Sequence, residues 1–596
     1  MSGKALNRNL IFWLCFLGNP ALWHPSTAAS PGDRRLYNVG DHVPLFANKV
    51  GPLHNPSETY QYYDLPFCRP DPLIPKRESL GEVLSGDRLT NTLYSLKFGE
   101  VKTGVTLCKK RLSRDEVAMF RDAVINDFYF QMHYDDLPLW GFIGKIEDSN
   151  WALEEMMPRY YLFKHIKFDA FYNGNQIIEI RAFGHPNHVV DITEDDEVDM
   201  EFTYSVFWNT TSTRFEDRMN RYLQTSMLPI NKQIHWFSLL NSLVVLVLLM
   251  GLFALLFMRR LNNDLRMCSG GDEEEDKEAG WKYIRGDVFR LPSNLSLLCA
   301  TLGSGMQILT MLCFLFILSF LGILYPYNRG ALSTALVLAY TFTSVIAGST
   351  AAYFHNQFAE TGWERSVLLA GILYPGPVFL IMSIINTISM AYQSTVALPF
   401  GSIVVILLLY TLIAVPLLAL GGLIGHRFRP EFQAPSPTNK QARGLPLLPW
   451  YRKALSDMFI GGLLSFSAVF LELHQVSASL WGFKISALPG TLFITFIILV
   501  VLTVILSIGL TFTQLSSEDH RWWWRSVLRG GAMAIYMFGY SIYFYAKSNM
   551  SGFMQLSVFL GYNALMSYAF FLMLGTVSFL ASFTFIHRIY QAIKSE

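Results

Sequence analysis

The sequence is poor in charge and in cysteine, and both shortages narrow the classes of protein it can be. Charged residues make up 16% of its 596 residues, against roughly 25% in an average soluble protein. The net charge of +1 provides no field that would attract nucleic acid. The six cysteines are too few and too scattered for a zinc ribbon or an iron–sulfur cluster. These shortages argue against an ordinary soluble globule, a disulfide-rich scaffold and a nucleic-acid-binding protein.

Catalytic motifs are also lacking. The sequence has no nucleophile elbow, no H-E-x-x-H and no Walker loop. His133, Tyr134, Asp135 and Asp136 resemble an acid–base cluster, but the apolar run 137–140 follows directly and indicates a turn into a strand. We therefore predict that the protein is not an enzyme and has no catalytic residue and no cofactor.

Apolar residues are abundant: they make up 52% of the sequence, and aromatic residues make up 15%. The composition is mixed and polar up to about Gln233, and from Trp236 onward long apolar runs alternate with short polar loops. This pattern predicts an α-helical polytopic membrane protein, with nine transmembrane helices preceded by a β-rich luminal domain. The predicted parts are a signal peptide (1–30), the luminal domain (31–233), the nine-helix domain (234–586) and a cytosolic tail (587–596).

The amino terminus has the pattern of a secretory signal. Lys4 and Arg8 precede an apolar run over 10–17, and small residues follow over 26–30. A run of about eight apolar residues is too short to span a bilayer. We expect cleavage between Ala28 and Ser30, with an uncleaved anchor as the alternative. The residues that follow then fold in the oxidising lumen.

Alternating polar and apolar residues predict strands in the luminal domain, at 94–98, 128–132, 162–171, 177–183 and 200–208. Asn173 and Gly174 lie between two of these strands and are typical of a tight hairpin turn. One helix is expected over 113–126, where Ser113 and Glu116 have the spacing of a capping box.

Two cysteines, Cys68 and Cys108, remain in the luminal domain once the signal is removed. Two thiols in an oxidising compartment are expected to pair, which would contribute about 3–4 kcal/mol, and two free buried thiols are the alternative. Asn209 begins a glycosylation acceptor that faces the lumen in this topology. Asn294 begins another, which is expected in the cytosol and therefore unmodified.

A second pair, His185 and His188, suggests a copper or zinc site. No third ligand is evident in the sequence, and a lone His-x-x-His is more often a solvated loop. We predict no metal site here.

Apolar runs of about 20 residues predict the membrane spans. They are 236–258, 297–324, 331–354, 366–390, 401–425, 457–476, 488–514, 530–545 and 553–585. With the amino-terminal domain in the lumen, lysine and arginine concentrate in the cytosolic loops, which agrees with the positive-inside rule. An odd number of spans then leaves the carboxyl terminus in the cytosol.

Two ionisable residues, Glu472 and His474, lie within the sixth predicted span. A carboxylate inside the membrane is expensive, so the pair is a candidate intramembrane polar site. The alternative is that Glu472 lies near the luminal interface and is hydrogen-bonded or solvated. Gly421 and Gly425 form a G-x-x-x-G pair at the end of their span, which is weak evidence for dimerisation.

Several ordered motifs resemble the nonaspanins, the transmembrane 9 superfamily. They are Asn48–Tyr60, Leu65–Cys68, Ser79–Asp87, Asp135–Gly141, Ile234–Ser238, Gly280–Lys282, Gly286–Arg290 and Glu518–Ser526. The resemblance runs from about residue 40 to the end. Three positions depart from the pattern: Ser465 where proline is usual, Arg285 where histidine is common, and His520 where tyrosine is common. The first of these puts a kink in the sixth span in doubt.

The resemblance implies residence in Golgi and endosomal membranes and no enzymatic activity. It also implies a role in the trafficking and membrane localisation of other transmembrane proteins. The expected partners are client transmembrane helices, coat machinery and the lipid bilayer, with no nucleic acid. At the carboxyl end, Lys594 and Glu596 resemble the family's K-x-D/E signal, which is captured by the coat that retrieves Golgi proteins.

Two other functions stay open. The first is an ion, metal or small-molecule transporter or channel that uses Glu472 and His474. The second is a receptor for a luminal ligand, which would depend on the β-rich domain alone. Lipid provides no hydrophobic drive for helix association, so client recognition needs small-residue packing and hydrogen bonds. The polar stretches 304–307 and 341–344 are candidates for this recognition.

Overall fold

The computed structural model describes residues 35–147, 158–218, 232–269, 281, 284–324, 330–428, 444, 449–450, 453–481 and 489–594. The predicted signal peptide lies outside these residues. The chain forms two compact units. The sheet unit comprises 1–49, 62–125 and 129–221, and the helical unit comprises 50–61, 126–128 and 222–596.

The described part of the amino-terminal region is built mainly of strands, which form three sheets with the orders β2-β1-β5-β6 (β3 also pairs with β1), β10-β9-β12-β4 and β11-β8-β7. The strands are β1 (Leu45–Pro52), β2 (Tyr60–Gln61), β3 (Thr90–Asn91), β4 (Lys102–Leu112), β5 (Phe128–Tyr134), β6 (Leu137–Phe142), β7 (Gly144–Glu147), β8 (Arg159–Phe163), β9 (His165–Asn173), β10 (Gln176–Gly184), β11 (Val189–Asp191) and β12 (Val198–Thr210). Helices α1 (Leu80–Leu84) and α2 (Arg114–Ile125) accompany them.

Local sequence signals predicted much of this region. Asn173 and Gln176 pair across the β9–β10 hairpin, and Gly174 has φ of 59°. The Ser113 side chain accepts from the Glu116 amide at 3.4 Å, and the Glu116 carboxylate accepts from the Ser113 amide at 3.0 Å. The hairpin and the capping box are therefore confirmed.

Two strand predictions were wrong in detail. The segment 94–98 alternates as predicted, with buried Tyr94, Leu96 and Phe98, but pairs only through an isolated bridge between Lys97 and His42. Backbone hydrogen bonds flank this bridge, from the Gly40 amide to the Phe98 carbonyl (2.8 Å) and from the Phe98 amide to the Asp41 carbonyl (2.9 Å), but the pairing extends no further into a regular strand. The predicted strand 162–171 is two strands, β8 and β9, which belong to different sheets and are separated by Lys164 alone.

Asp135 and Asp136 form the two-residue turn between β5 and β6, with φ of 49° and 60°. The Asp135 side chain is completely buried and accepts from Arg35 (2.9 Å), Arg218 (2.9 Å) and the Tyr37 hydroxyl (2.7 Å). Burial, followed by this hydrogen bond to Asp135, raises the pKa of Tyr37. The two aspartates are therefore structural, because one buried carboxylate holds together the beginning and the end of the sheet unit.

The helical unit consists of long apolar helices. They are α3 (Lys232–Ser269), α4 (Leu295–Phe320), α5 (Ala331–Phe358), α6 (Trp363–Leu373), α7 (Pro375–Ala391), α8 (Phe400–Leu409), α9 (Val415–Arg427), α10 (Ala454–Trp481), α11 (Pro489–Leu515), α12 (Trp522–Gly531), α13 (Met533–Lys547) and α14 (Phe553–Lys594). The pair α6–α7 forms one span with a break at Tyr374. A π-helix, Tyr410–Ala414, joins α8 to α9 within another.

Eight segments among the described residues are long and apolar enough to cross a membrane, whereas the sequence predicted nine. The difference lies in the predicted span 530–545, which corresponds to α13. This helix has 15 residues and is therefore about 22 Å long, shorter than a hydrocarbon core of about 30 Å. It follows α12 after the single residue Ala532.

Small residues bring α5 and α9 into backbone contact. A Cβ atom added to Gly348 would overlap the Leu418 carbonyl, and one added to Gly421 would overlap the Val345 carbonyl. Gly425 lies in the same way against Ser349. The G-x-x-x-G pair of the sequence is therefore used inside the helical unit, where it packs α9 onto α5.

We expect Gly421→Ala to lower the free energy of unfolding by about 1–3 kcal/mol, since the added methyl group overlaps backbone that cannot move aside. The measurement is the melting temperature of the detergent-purified protein. Gly539→Ala on α13 is the matched control, because no atom outside its own helix lies within 4 Å of the added Cβ. Its melting temperature should stay the same or rise, as alanine favours helix. Equal melting of both variants would contradict the packing described for Gly421.

Candidate functional site

A short segment of the amino-terminal region belongs, by its contacts, to the helical unit. This segment, which we call the strap (Asn55–Thr59), lies between β1 and β2. The Asn55 side chain donates to the Glu58 carboxylate (2.8 Å), and Tyr60 donates to the same carboxylate (2.9 Å). The Glu58 amide also donates to the Asn55 carbonyl (3.0 Å). These bonds fix the strap as a compact turn.

The strap bonds to two loops of the helical unit. On one side, the Thr395 amide (2.8 Å) and the Ser394 hydroxyl (2.8 Å) donate to the Thr59 carbonyl, just after α7. On the other side, the Ser57 amide donates to Gln555 Oε1 (2.9 Å). The Ser551 amide also donates to Asn55 Oδ1 (3.0 Å). The strap therefore connects the end of α7 to the start of α14.

The sequence motif 48–60 includes the strap, and its contacts could not be read from the sequence. The bonding groups are backbone amides, carbonyls and short polar side chains, which carry no signal of a distant partner. Ser57 and Thr59 are buried. Only the fold brings them beside residues more than 300 positions away.

Glu472 and His474 do not form one site. Glu472 is buried, with 2% of its surface exposed, whereas His474 is exposed and lies 2.5 Å from the Tyr540 hydroxyl on α13. Residues two apart on a helix point in different directions. The two candidate residues of the predicted intramembrane site therefore lie on different faces of α10. This helix is unbroken through Ser465, so it has no proline-type kink.

A buried ion-pair cluster lies at the other end of α10. Arg525 and Arg529 both contact the Asp457 carboxylate, at 2.8 and 3.3 Å, and Arg525 also pairs with Asp519. Arg529 is 2% exposed and donates to Thr511 (2.9 Å) and Gln514 (2.9 Å). The two arginines were predicted as cytosolic loop charges, and their burial was not foreseen. Charge balance with two aspartates makes this burial tolerable.

A small cavity of about 10 Å³ lies beside Arg529. Ser465, Thr503, Ser507 and Ser578 contribute hydroxyl groups to its lining. Its volume is close to that needed for one water molecule. Glu472 does not line it.

Two of the motifs that resemble the family, 286–290 and 518–526, pack on each other beside the ion-pair cluster. Trp522 Nε1 donates to the Val288 carbonyl (2.9 Å), and Trp524 Nε1 donates to the Ser293 carbonyl (3.0 Å). Trp522 and Val288 are fully buried in one apolar cluster with Tyr590 near the end of α14. The tryptophans therefore tie the segment before α4 to α12.

The polar stretches proposed for client binding are used within the helical unit. Ser304 donates to the Ala370 carbonyl (3.1 Å) and Gln307 to the Tyr340 carbonyl (2.9 Å). Ser344 donates to the Ala414 carbonyl (3.0 Å). These side chains are buried, so they join neighbouring helices and do not face the lipid.

The predicted disulfide between Cys68 and Cys108 is present, with the two Cα atoms 6.1 Å apart. Asn209 is exposed near the end of β12, and Asn294 is exposed at the start of α4. Lys594 is the last residue of α14. Its side chain and the whole of Glu596 lie outside the described residues.

The structure places a third histidine beside His185 and His188. The ring of His165 lies 6.0 Å from that of His185 and 5.3 Å from that of His188, between centroids. No local pattern in the sequence points to this residue, because it lies 20 positions earlier on another strand. Within the described residues, no group of three or more His, Cys, Asp or Glu side chains is arranged to hold a metal ion.

Comparison with known proteins identifies the family. The model of the family "Endomembrane protein 70" matches residues 59–553. Transmembrane 9 superfamily member 5 of Arabidopsis thaliana is 56% identical over 566 residues, which cover 95% of this chain and 96% of that protein. Member 1 of Bos taurus is 38% identical and covers 96% of each chain. No solved structure matches the chain. The chain therefore belongs to the transmembrane 9 superfamily of multi-pass endomembrane proteins.

Proposed function

We propose that this protein acts, without enzymatic activity, in the trafficking and membrane localisation of other transmembrane proteins in the Golgi and endosomes. Membership of an endomembrane family supports this role. The observation that carries it is a polar face on α7, directed away from the helical unit. Ser383 and Thr387 are exposed on this face, one turn apart.

Helix α7 packs on α14 through its opposite side. Ile381 and Ile385 contact α14 at Gly561, and Ile385 is buried. Only 11% of the apolar stretch of α6–α7 is buried, against 56% of that of α14. The span is therefore peripheral, and its outer face is available to another helix.

The polar groups of this face retain hydrogen-bonding capacity. Ser383 donates to the Phe379 carbonyl (2.7 Å) and Thr387 to the Ser383 carbonyl (2.9 Å), which leaves each hydroxyl oxygen able to accept. Asn386 accepts from the Leu398 amide (2.6 Å) and donates to Met390 Sδ at 3.5 Å, a weak contact. A client helix with polar side chains would gain hydrogen bonds that lipid cannot offer.

We expect Ser383→Ala combined with Thr387→Val to weaken client binding roughly eightfold, at about 0.6 kcal/mol for each interhelical hydrogen bond. The measurement is surface proteomics in cells that lack the protein and are complemented with each variant. Thr343→Val is the matched control, since Thr343 is buried and donates within its own helix (2.7 Å). The double variant should restore fewer membrane proteins to their normal location, and the control should restore all of them.

Glu472→Gln separates this proposal from transport through the membrane unit. Sorting predicts that the variant restores client location fully and leaves cellular metal content unchanged. If Glu472→Gln abolishes rescue while the α7 double variant retains it, the trafficking proposal fails and the transport alternative is favoured.

For the topology, we propose a luminal amino-terminal domain, nine crossings and a cytosolic carboxyl terminus. The strap supports the ninth crossing, because two loops on the same side of the membrane must be separated by an even number of crossings. It bonds to residues 394–395 and to residues 551–555, so both loops lie on one side of the membrane. Between them lie three long spans and α12–α13. The loops share a side only if α12–α13 also crosses.

This topology predicts that Asn209 carries a glycan and Asn294 does not, because glycans are added in the lumen. Glycosidase treatment of Asn209→Gln and Asn294→Gln is the measurement. The mobility shift should vanish in the first variant and persist in the second. The reverse result would invert the topology.

We also propose that Lys594 and Glu596 form a coat-binding retrieval signal at the cytosolic end of the chain. A coat protein can bind the lysine, the Glu596 side chain and the terminal carboxylate together only at a free carboxyl end, through charge-assisted hydrogen bonds. We expect Lys594→Ser, or two alanines appended after Glu596, to redistribute the protein away from the Golgi in imaging. Gln591→Ala, an exposed change one turn earlier, is the control. Unchanged Golgi residence and coat binding would assign retention to the spans instead.

A further inference from the structure

Three imidazole rings meet in the sheet unit at the point where two of its sheets separate. The rings of His185 and His188 lie 4.7 Å apart between centroids, and both lie within 6.0 Å of the His165 ring. His165 is buried, His185 is half-buried and His188 is exposed. Solvent protons can therefore reach the cluster, which we call the histidine triad.

The chain passes between the same two sheets twice at this point. Lys164 alone links β8 to β9, and the turn His185–His188 links β10 to β11. Strands β8 and β11 belong to the three-stranded sheet, and β9 and β10 belong to the four-stranded sheet. The triad therefore lies at both connections between the sheets.

A few backbone bonds hold the two connections together. The His185 amide donates to the His165 carbonyl (3.0 Å), and the Lys164 amide donates to the His188 carbonyl (3.1 Å). Gly184 lies directly under the Phe163 ring, where a Cβ atom would not fit. Movement of the turn away from His165 would break these contacts and separate the sheets.

The hydrogen bonds around the triad suit neutral imidazoles. The Asn187 amide donates to His185 Nδ1 (3.3 Å), so that nitrogen carries no proton in this arrangement. His165 Nδ1 lies 2.8 Å from the Thr203 hydroxyl on β12. Protonation of His185 at Nδ1 would remove the acceptor for the Asn187 amide.

Charged groups on the neighbouring elements are mostly engaged elsewhere. On β12, Glu201 pairs with Lys109 of β4 at 3.3 Å. On β9, Asp169 pairs with Lys167 at 3.1 Å. Asp191 of β11 accepts from Thr193, and Lys164 is a further cation beside His165. These carboxylates have partners of their own, so a protonated triad would gain little compensation from them.

We propose that the histidine triad is a pH-sensitive hinge: protonation in a mildly acidic lumen releases the turn His185–His188 from His165 and loosens the three-stranded sheet. Burial, and then the neighbouring His188 and His185, lower the pKa of His165 below its ordinary value of 6.5. The folded state therefore binds protons more weakly than the unfolded state. The stability that neutral His165 contributes is fully present above about pH 6.5 and is lost as the pH falls below that value.

The experiment is hydrogen–deuterium exchange of the full-length protein in detergent at pH 7.5 and 5.5, expressed as protection factors corrected for the intrinsic rate. Peptides covering 158–168 and 184–192 should lose up to roughly tenfold protection at pH 5.5, the limit for one proton that only the open turn binds, one pH unit below the ordinary histidine pKa of about 6.5. Peptides from β5 and β6 should change little. His188→Gln, at an exposed position that tolerates substitution, should reduce the loss, and His185→Gln with His188→Gln should abolish it. His42→Gln, an exposed histidine outside the triad, should respond like the natural protein.

Equal protection at both pH values, or the same loss of protection in the double variant as in the natural protein, would overturn the hinge. Stoichiometric zinc or copper that is lost in the double variant would also overturn it, by making the triad a metal site. The acidic setting of the hinge depends on the proposed Golgi and endosomal location. Because exchange is measured on purified protein, failure of the trafficking role and failure of the hinge are distinguishable.

Discussion

Close approach of helix backbones is the constraint on which the helical unit depends. Lipid solvates apolar side chains as well as a neighbouring helix does, so helices associate only where packing or hydrogen bonding improves on lipid. Glycine and alanine on α5 and α9 remove the side chains that would keep the helices apart. Backbone carbonyls then lie within reach of serine hydroxyls, as with Ser344 and Ala414. The small residues and the buried hydroxyls therefore act together.

A second constraint acts at the ends of the spans, where buried polar groups need hydrogen-bonding or charged partners. At one end, two arginines and two aspartates neutralise one another between α10, α11 and α12. At the other end, the strap supplies amides and carbonyls to loops that would otherwise have to satisfy their own. Both sites therefore use partners that lie far apart in the sequence.

The sheet unit is not under this constraint, because water can form hydrogen bonds with the polar groups on its surface. Local signals sufficed for the β9–β10 turn and the cap of α2, where the bonded residues lie within three positions of each other. They failed at Lys164, where one residue separates strands of different sheets. Alternation of apolar side chains reports burial but not the identity of the paired strand. The histidine triad was missed for the same reason, since His165 meets His185 only through strand pairing.

By itself, the sequence determined the class of the protein, the β-rich region before the membrane helices and most membrane spans, and it favoured a disulfide over two free thiols. Each follows from local composition or from a count of cysteines, quantities that do not depend on which elements meet. Only the tertiary structure decided how the polar residues are used. It placed Glu472 and His474 on different faces of α10 and turned the glycine pair of α9 inward. It also buried Arg529 and left Ser383 and Thr387 outside. The physical reason is that a helix has several faces, and its sequence does not specify which face a neighbour covers.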